Sequence, residues 1–203
     1  MSEKYSLHLC KTKMDYTRMY SVRDLSSCVY MNNNWLCGKP IHDLWREFAK
    51  RGWYPGVLFK FSPEIKGMYM VKEDGTPVAR TYVRLDAVGK PIKHVDIRAT
   101  SMRTFQAMEK LLEEKGLNET YTLEATQPFT VPGFQYKGKY LCPIPNIDSV
   151  YVGGLYVKFN EDTKNFTVSP KRLKGGVRID DTYYWQGYLV APDYDTFYSL
   201  TSK

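Results

Sequence analysis

The chain has 203 residues, 43% hydrophobic and 25% charged, which is globular usage with room for one large domain or two small ones and no need of a metal or disulfide to fold. Its net charge of +7 is spread over scattered cations with no run of five or more Lys/Arg, which argues against a disordered basic tail and leaves attraction to polyanions open. The four cysteines, Cys10, Cys28, Cys37 and Cys142, are too widely spaced for a disulfide framework. There is no apolar leader after Met1 and no apolar run of about 18 residues, so a cytoplasmic protein with reduced thiols and no membrane span is expected.

Residues 1–36 show no sustained period and read as an irregular segment with one or two short strands, one of them around Tyr5–Cys10, and a loop at Asn32-Asn33-Asn34. "KPIHDLWREFAKRG" predicts a helix over 41–51. Pro40 suits its first turn, Ile41, Leu44, Trp45 and Phe48 share a face, and Gly52 ends it. "WYPGVLFKF" follows as a strand.

Met68–Lys72 and Val78–Leu85 read as strands of a hairpin turned at Asp74-Gly75, and Ile92–Ala99 as a third strand. Ser101 or Thr100 caps a helix over 101–116, whose apolar face is Met102, Phe105, Met108, Leu111 and Leu112 and whose stop is Gly116. From 118 to 203 the pattern is strand-like, broken by Pro, Gly and Asn. Aromatics reach 15%, with 17 Tyr, as suits sheet with half-wet faces. The expectation is a single α+β domain over 1–203: a twisted, mostly antiparallel sheet with two main helices, a core over 37–117 and a β-rich extension over 118–203.

Alternation along the strands sorts their faces. Ala79, Thr81, Val83 and Leu85, with Val95, Ile97 and Ala99, suit a core under the 101–116 helix. Arg80, Tyr82, Arg84, His94, Asp96 and Arg98 make a polar face. Guanidinium groups beside an aromatic ring suit phosphate, carboxylate or stacked bases, so Arg80, Tyr82, Arg84, His94 and Arg98 are candidates for binding an anion or nucleic acid. The alternative is a solvated sheet face with Asp96 paired to an Arg.

The order helix, strand, hairpin, strand, helix over Lys39–Gly116 resembles the acetyl-CoA-dependent acetyltransferase (GNAT) superfamily. In that family, backbone N–H groups of a glycine-bearing turn at the central helix bind the CoA pyrophosphate. The matching turn here is "RATSMRT", without glycine. The resemblance implies an acyl-CoA site, with acetyl-CoA as cofactor, at Arg98, Ser101, Arg103 and Thr104. It implies N-acyl transfer if the chain is an active enzyme, with the acceptor near the β-rich half and no general base named. The chain as a whole also resembles small proteins of tailed bacteriophages, through its size, charge, Tyr content and stretches such as "EDGTPVARTYV" and "CPIPNIDSVYV". This implies an accessory protein acting in a host cytoplasm.

The remaining features read as structural. Cys28 has no visible base to make it a nucleophile. His8, Cys10, Cys28 and Cys37 have zinc-ligand chemistry without knuckle spacing, so no metal is expected. Gly153-Gly154 and Gly175-Gly176 mark bends, since no helix pattern follows them. Asp180-Asp181 would point to opposite strand faces and read as turn residues. The aromatic run from "DTYYWQGY" to "PDYDTFYSL" suits core packing, stacking on single-stranded nucleic acid or a partner surface. Two competing functions follow: a non-enzymatic binder of nucleic acid or a host protein, and a structural or assembly protein.

Overall fold

The computed structural model describes residues 3–21, 59–136, 138–143, 155–179, 184–185 and 189–190. The helix expected over 41–51, the Asn32–Asn34 loop, Cys28, Cys37, Gly153-Gly154, Asp180-Asp181 and most of the C-terminal aromatic run lie outside them. The fold is α+β, with mostly antiparallel sheets and, among the described residues, two helices. The chain divides into two compact units: residues 1–26 with 63–123, and residues 27–62 with 124–203. The change near 118 seen in the sequence falls close to the Leu123 boundary. Of the strand expected over 53–61, the described part, 59–61, is instead a turn of 3-10 helix closed by the Ser62 N–H on the Phe59 carbonyl at 3.0 Å.

The first unit is a sheet between two helices. Its strands are β1 (Tyr5–Leu9), β2 (Ile65–Lys72), β3 (Pro77–Leu85), β4 (Pro91–His94), β5 (Arg98–Ala99) and β6 (Asn118–Glu119). Its helices are α1 (Lys13–Tyr20) and α2 (Met102–Glu114). The order across the sheet is β1-β2-β3-β4-β6, with β5 also on β3. All pairs are antiparallel except β4 with β6, which are parallel and joined through α2.

One face packs on α2. Met68, Met70, Ala79, Val83 and Ile97 form a core with Met108, Leu112 and Leu117. Gly116, at φ +79, ends α2 with its N–H on the Glu113 carbonyl, while the Leu117 N–H reaches the Leu112 carbonyl. This is a Schellman stop, which drops Leu117 into the core as its hydrophobic contact.

The other face differs from the sequence reading. Arg80 and Tyr82 do not line a solvated surface: they are 2% and 8% exposed. The cover is α1, a helix that hydrophobic periodicity did not predict. Where the sequence reads 1–36 as irregular, α1 starts at a capping box: Thr12 accepts from the Asp15 N–H and the Asp15 carboxylate accepts from the Thr12 N–H. Tyr16, Met19 and Tyr20, three and four residues apart, are its buried side. The Tyr16 hydroxyl accepts from the Gly67 N–H at 3.1 Å, and the Tyr20 ring lies 4.9 Å from the Arg80 guanidinium carbon.

The second unit holds two small antiparallel sheets among its described residues. Its strands are β7 (Phe129–Pro132), β8 (Phe134–Tyr136), β9 (Lys139–Pro143), β10 (Leu155–Asn160), β11 (Asn165–Ser169), β12 (Val177–Ile179), β13 (Tyr184–Trp185) and β14 (Leu189–Val190). They form the orders β12-β10-β11-β7 and β13-β14-β9-β8. Phe129, Val131, Leu155, Val157, Phe166 and Val168 are buried, as alternation along β7, β10 and β11 dictates. Phe159 tilts against Phe166 at 4.8 Å and stacks on Tyr140 at 5.6 Å.

Candidate functional site

The third strand expected over 92–99 is not continuous. Pairing of Val83 with His94 sets Val95 opposite Tyr82, whereas pairing of Arg80 with Arg98 sets Asp96 opposite Tyr82. One extra residue is therefore inserted at Val95–Asp96, a β-bulge that separates β4 from β5. The Thr81 hydroxyl holds it, lying 2.7 Å from the Val95 carbonyl and 3.2 Å from the Asp96 carbonyl. The uninterrupted polar/apolar alternation of 92–99 hid this bulge, since no Gly or Pro marks it.

The bulge coincides with the end of the parallel pair. β4 and β6 match at Lys93–Asn118 and His94–Glu119, and the Thr120 N–H closes on the His94 carbonyl at 2.8 Å. Beyond that point β5 is paired with β3 alone among the described residues. The Thr100 N–H bonds the Val78 carbonyl, so alternation directs the N–H and C=O groups of Ile97 and Ala99 away from β3. An open backbone edge thus lies at the C-terminal end of β4, just before α2.

The start of α2 is closed by its own side chains. The Ser101 hydroxyl accepts from the Thr104 N–H at 3.1 Å, and the Thr104 hydroxyl accepts from the Ser101 N–H at 3.0 Å. Thr100 adds a hydroxyl contact to Thr104 at 3.3 Å. Ser101 and Thr104 therefore satisfy the helix, and Thr104 is buried. Arg98 and Arg103 are exposed on either side of this cap. Met102 and Tyr121, 70% and 95% exposed, stand on the first turn of α2 and just past β6; Met102, read in the sequence as part of the helix's apolar face, instead lies outside the core, and nothing in the sequence singled out Tyr121.

The other candidates are dispersed. Tyr82 shares a hydroxyl–hydroxyl bond with Tyr20 beneath α1. Arg84 is half-buried, with Nη1 donating to the Leu123 carbonyl at 3.3 Å. His94 is 4% exposed, its Nδ1 2.8 Å from the Val95 carbonyl. Asp96 is exposed and makes no ion pair with an Arg among the described residues. Arg98 is thus the one member of the proposed anion face that is fully at the surface.

Burial disarms the described thiols and two phenols. Desolvation, with the Asp15 charge as a smaller cause, drives the Cys10 thiol far above its ordinary range, and desolvation alone does so for Cys142. Tyr16 and Tyr82 are raised chiefly by burial as well. Of the zinc candidates, Cys10 places its Sγ 3.8 Å from Met19 Sδ, and His8 stacks on Tyr69 at 5.4 Å. No group of three His, Cys, Asp or Glu side chains suited to a metal occurs among the described residues, and no helix among them is long and apolar enough to cross a membrane. Comparison with protein-family models, with curated proteins and with solved structures finds no match to this chain.

Proposed function

We propose that the first unit is an acetyltransferase-like (GNAT-like) core that binds an acyl-CoA. The observation that carries this reading is the parallel pair β4–β6, crossed through α2 and parted beyond His94–Glu119. It supplies two kinds of donor at one end of the sheet. The first-turn N–H groups of Met102 and Arg103, with the exposed Arg98 and Arg103 guanidinium groups, suit the pyrophosphate. The edge of Ile97 and Ala99 suits the amide groups of the pantetheine arm, which pair with it as a strand does. Ser101 and Thr104 shape the helix start and are not ligands.

The proposal is of binding. Acyl transfer to an amine requires a base to take the amine's proton as the thioester carbonyl is attacked, and no side chain is assigned that role. The reading is in keeping with an accessory protein of the phage type working in a host cytoplasm. The competing use of Arg80, Tyr82 and His94 as a nucleic-acid surface is disfavoured by their burial.

The test is a thermal-shift and calorimetric titration with acetyl-CoA and CoA. Saturable binding that is lost in Arg98→Ala/Arg103→Ala and kept in Ser101→Ala supports the reading. No binding at millimolar acetyl-CoA, or binding indifferent to both arginines, overturns it.

A further inference from the structure

The second unit carries a charged feature unrelated to that site. β11 and β12 both run antiparallel to β10 and flank it, so the connection 170–176 must cross β10. The crossing is firmly built. The Lys171 N–H bonds the Ser169 hydroxyl at 3.0 Å, and the Gly176 N–H bonds the Leu173 carbonyl at 2.9 Å across a turn whose Gly175 has φ +75. A Cβ at Gly175 would lie 3.9 Å from Lys158 Nζ, so the β10 ammonium sits beside the crossing loop.

Five cations gather there. Lys158 and Arg178 are exposed on β10 and β12, and Lys171, Arg172 and Lys174 are exposed on the loop. None has an ion-pair partner among the described residues. No Asp or Glu occurs anywhere from 163 to 179, and the acids of the β10–β11 turn, Glu161 and Asp162, lie at the far end of the hairpin. Like charges on adjoining strands and on the loop that crosses them repel one another, which is a cost that a polyanion removes. Tyr156, opposite Arg178 in the register and partly exposed, adds an aromatic ring on the same outer face.

We propose that this crossing binds the phosphate backbone of single-stranded nucleic acid. Cations on two strands and a loop follow a chain of phosphates, and a tyrosine set among them is a platform on which a base stacks. The inference is independent of acyl-CoA binding, because every residue it uses lies in the other unit.

The test is fluorescence anisotropy with labelled single-stranded DNA and RNA, repeated over a range of salt. Lys171→Glu/Arg172→Glu/Lys174→Glu is compared with Lys90→Glu/Lys110→Glu/Lys115→Glu, which changes net charge equally at exposed positions of the first unit. The loop variant should lose at least tenfold in affinity, with the salt slope falling by about two for three lost phosphate contacts. The control should stay within a few-fold of the parent, and Tyr156→Ala should weaken single strands more than duplex. Equal losses in both triple variants would reduce the effect to net charge and overturn the site. So would tighter binding to duplex that ignores Tyr156, or binding to phosphatidylserine vesicles without binding to either oligonucleotide. An absence of salt-sensitive binding by the parent protein would overturn it outright.

Discussion

Gly133 and Lys164 meet backbone to backbone. The Gly133 N–H donates to the Lys164 carbonyl at 3.0 Å, and a Cβ at position 133 would stand 2.4 Å from that same oxygen. The hydrogen bond fixes the oxygen where a side chain would need it to leave. Lys164 closes the turn between β10 and β11 with φ 59, and its own N–H bonds the Asn160 carbonyl at 2.8 Å, so the loop is tied from both ends. Gly133→Ala should therefore cost about 2–3 kcal/mol, the upper part of the overpacking range. Urea unfolding of the second unit reads the loss. A change under about 0.5 kcal/mol, the scale of an ordinary surface substitution, would mean that the two backbones are not in contact.

Gly67 makes the equivalent close approach in the first unit. A Cβ there would lie 2.7 Å from Met19 Sδ and 2.9 Å from Tyr16 Cε1. The thioether can swing aside, but the tyrosine ring is held by its hydroxyl bond to the Gly67 N–H. Gly67→Ala should cost about 1–3 kcal/mol by lifting α1 off the sheet. Met19→Ala should be less damaging in the Gly67→Ala background than in the parent, since it removes one of the two clashes. A double-mutant cycle measures this coupling, and additive losses would contradict the packing.

The residues that were legible are those with local instructions. Asp74-Gly75 turns the β2–β3 hairpin, with the Gly75 N–H on the Lys72 carbonyl, and Ser101 caps α2 as its position predicts. Period 3.6 located α2 because its apolar stripe from Phe105 to Leu112 meets a continuous core, although Met102, counted on that stripe, stands outside it. The bulge at Val95–Asp96 gave no signal, since it depends on the register of β3 and on the Thr81 hydroxyl, 14 residues away in the chain. Alternation grouped Arg80 with Tyr82 correctly, but their burial depends on α1, some 60 residues earlier, as the bond between Tyr20 and Tyr82, 62 residues apart, makes plain. Of the candidate site, the arginines beside the helix start were readable. The open edge of β5 was not, because it follows from tertiary pairing; the capping role of Thr104 is local, three residues from Ser101, but was missed because a threonine stands where the capping box usually carries Glu or Gln.

Alkaline pH should unfold the first unit in a way its buried hydroxyls and thiol explain. Burial raises Tyr16, Tyr82 and Cys10 far above ordinary values of 10.0, 10.0 and 9.0. The native state therefore keeps these protons while the unfolded chain loses them. With more protons bound in the native state, stability falls as pH rises. Nothing is lost below the unfolded thiol value; each group costs about 1.4 kcal/mol per pH unit once the pH passes its own unfolded value, the thiol first and the phenols after it. Urea unfolding from about pH 8 to about pH 10.5 should show a steepening loss, shallower in Tyr16→Phe. The slopes are the quantity to compare, because Tyr16→Phe also strips the Gly67 N–H of its acceptor at every pH. A stability curve flat across this range would mean that solvent reaches these groups.

The cap of α2 separates a structural role from a binding one. Ser101→Ala removes the acceptor of the Thr104 N–H and should cost about 1 kcal/mol. Thr104→Val keeps the shape of a buried side chain but removes the acceptor of the Ser101 N–H, and should cost roughly 1–2 kcal/mol, whereas Thr104→Ser restores the bond. Neither substitution touches Arg98 or Arg103. Acetyl-CoA affinity measured below the lowered melting temperature should therefore stay within a few-fold of the parent in both. The arginine double variant should show the reverse, an unchanged melting temperature with affinity lost, because both guanidinium groups are exposed. Should Ser101→Ala abolish binding while leaving stability intact, the hydroxyl would belong to the ligand rather than to the helix, and the assignment of the cap would be wrong.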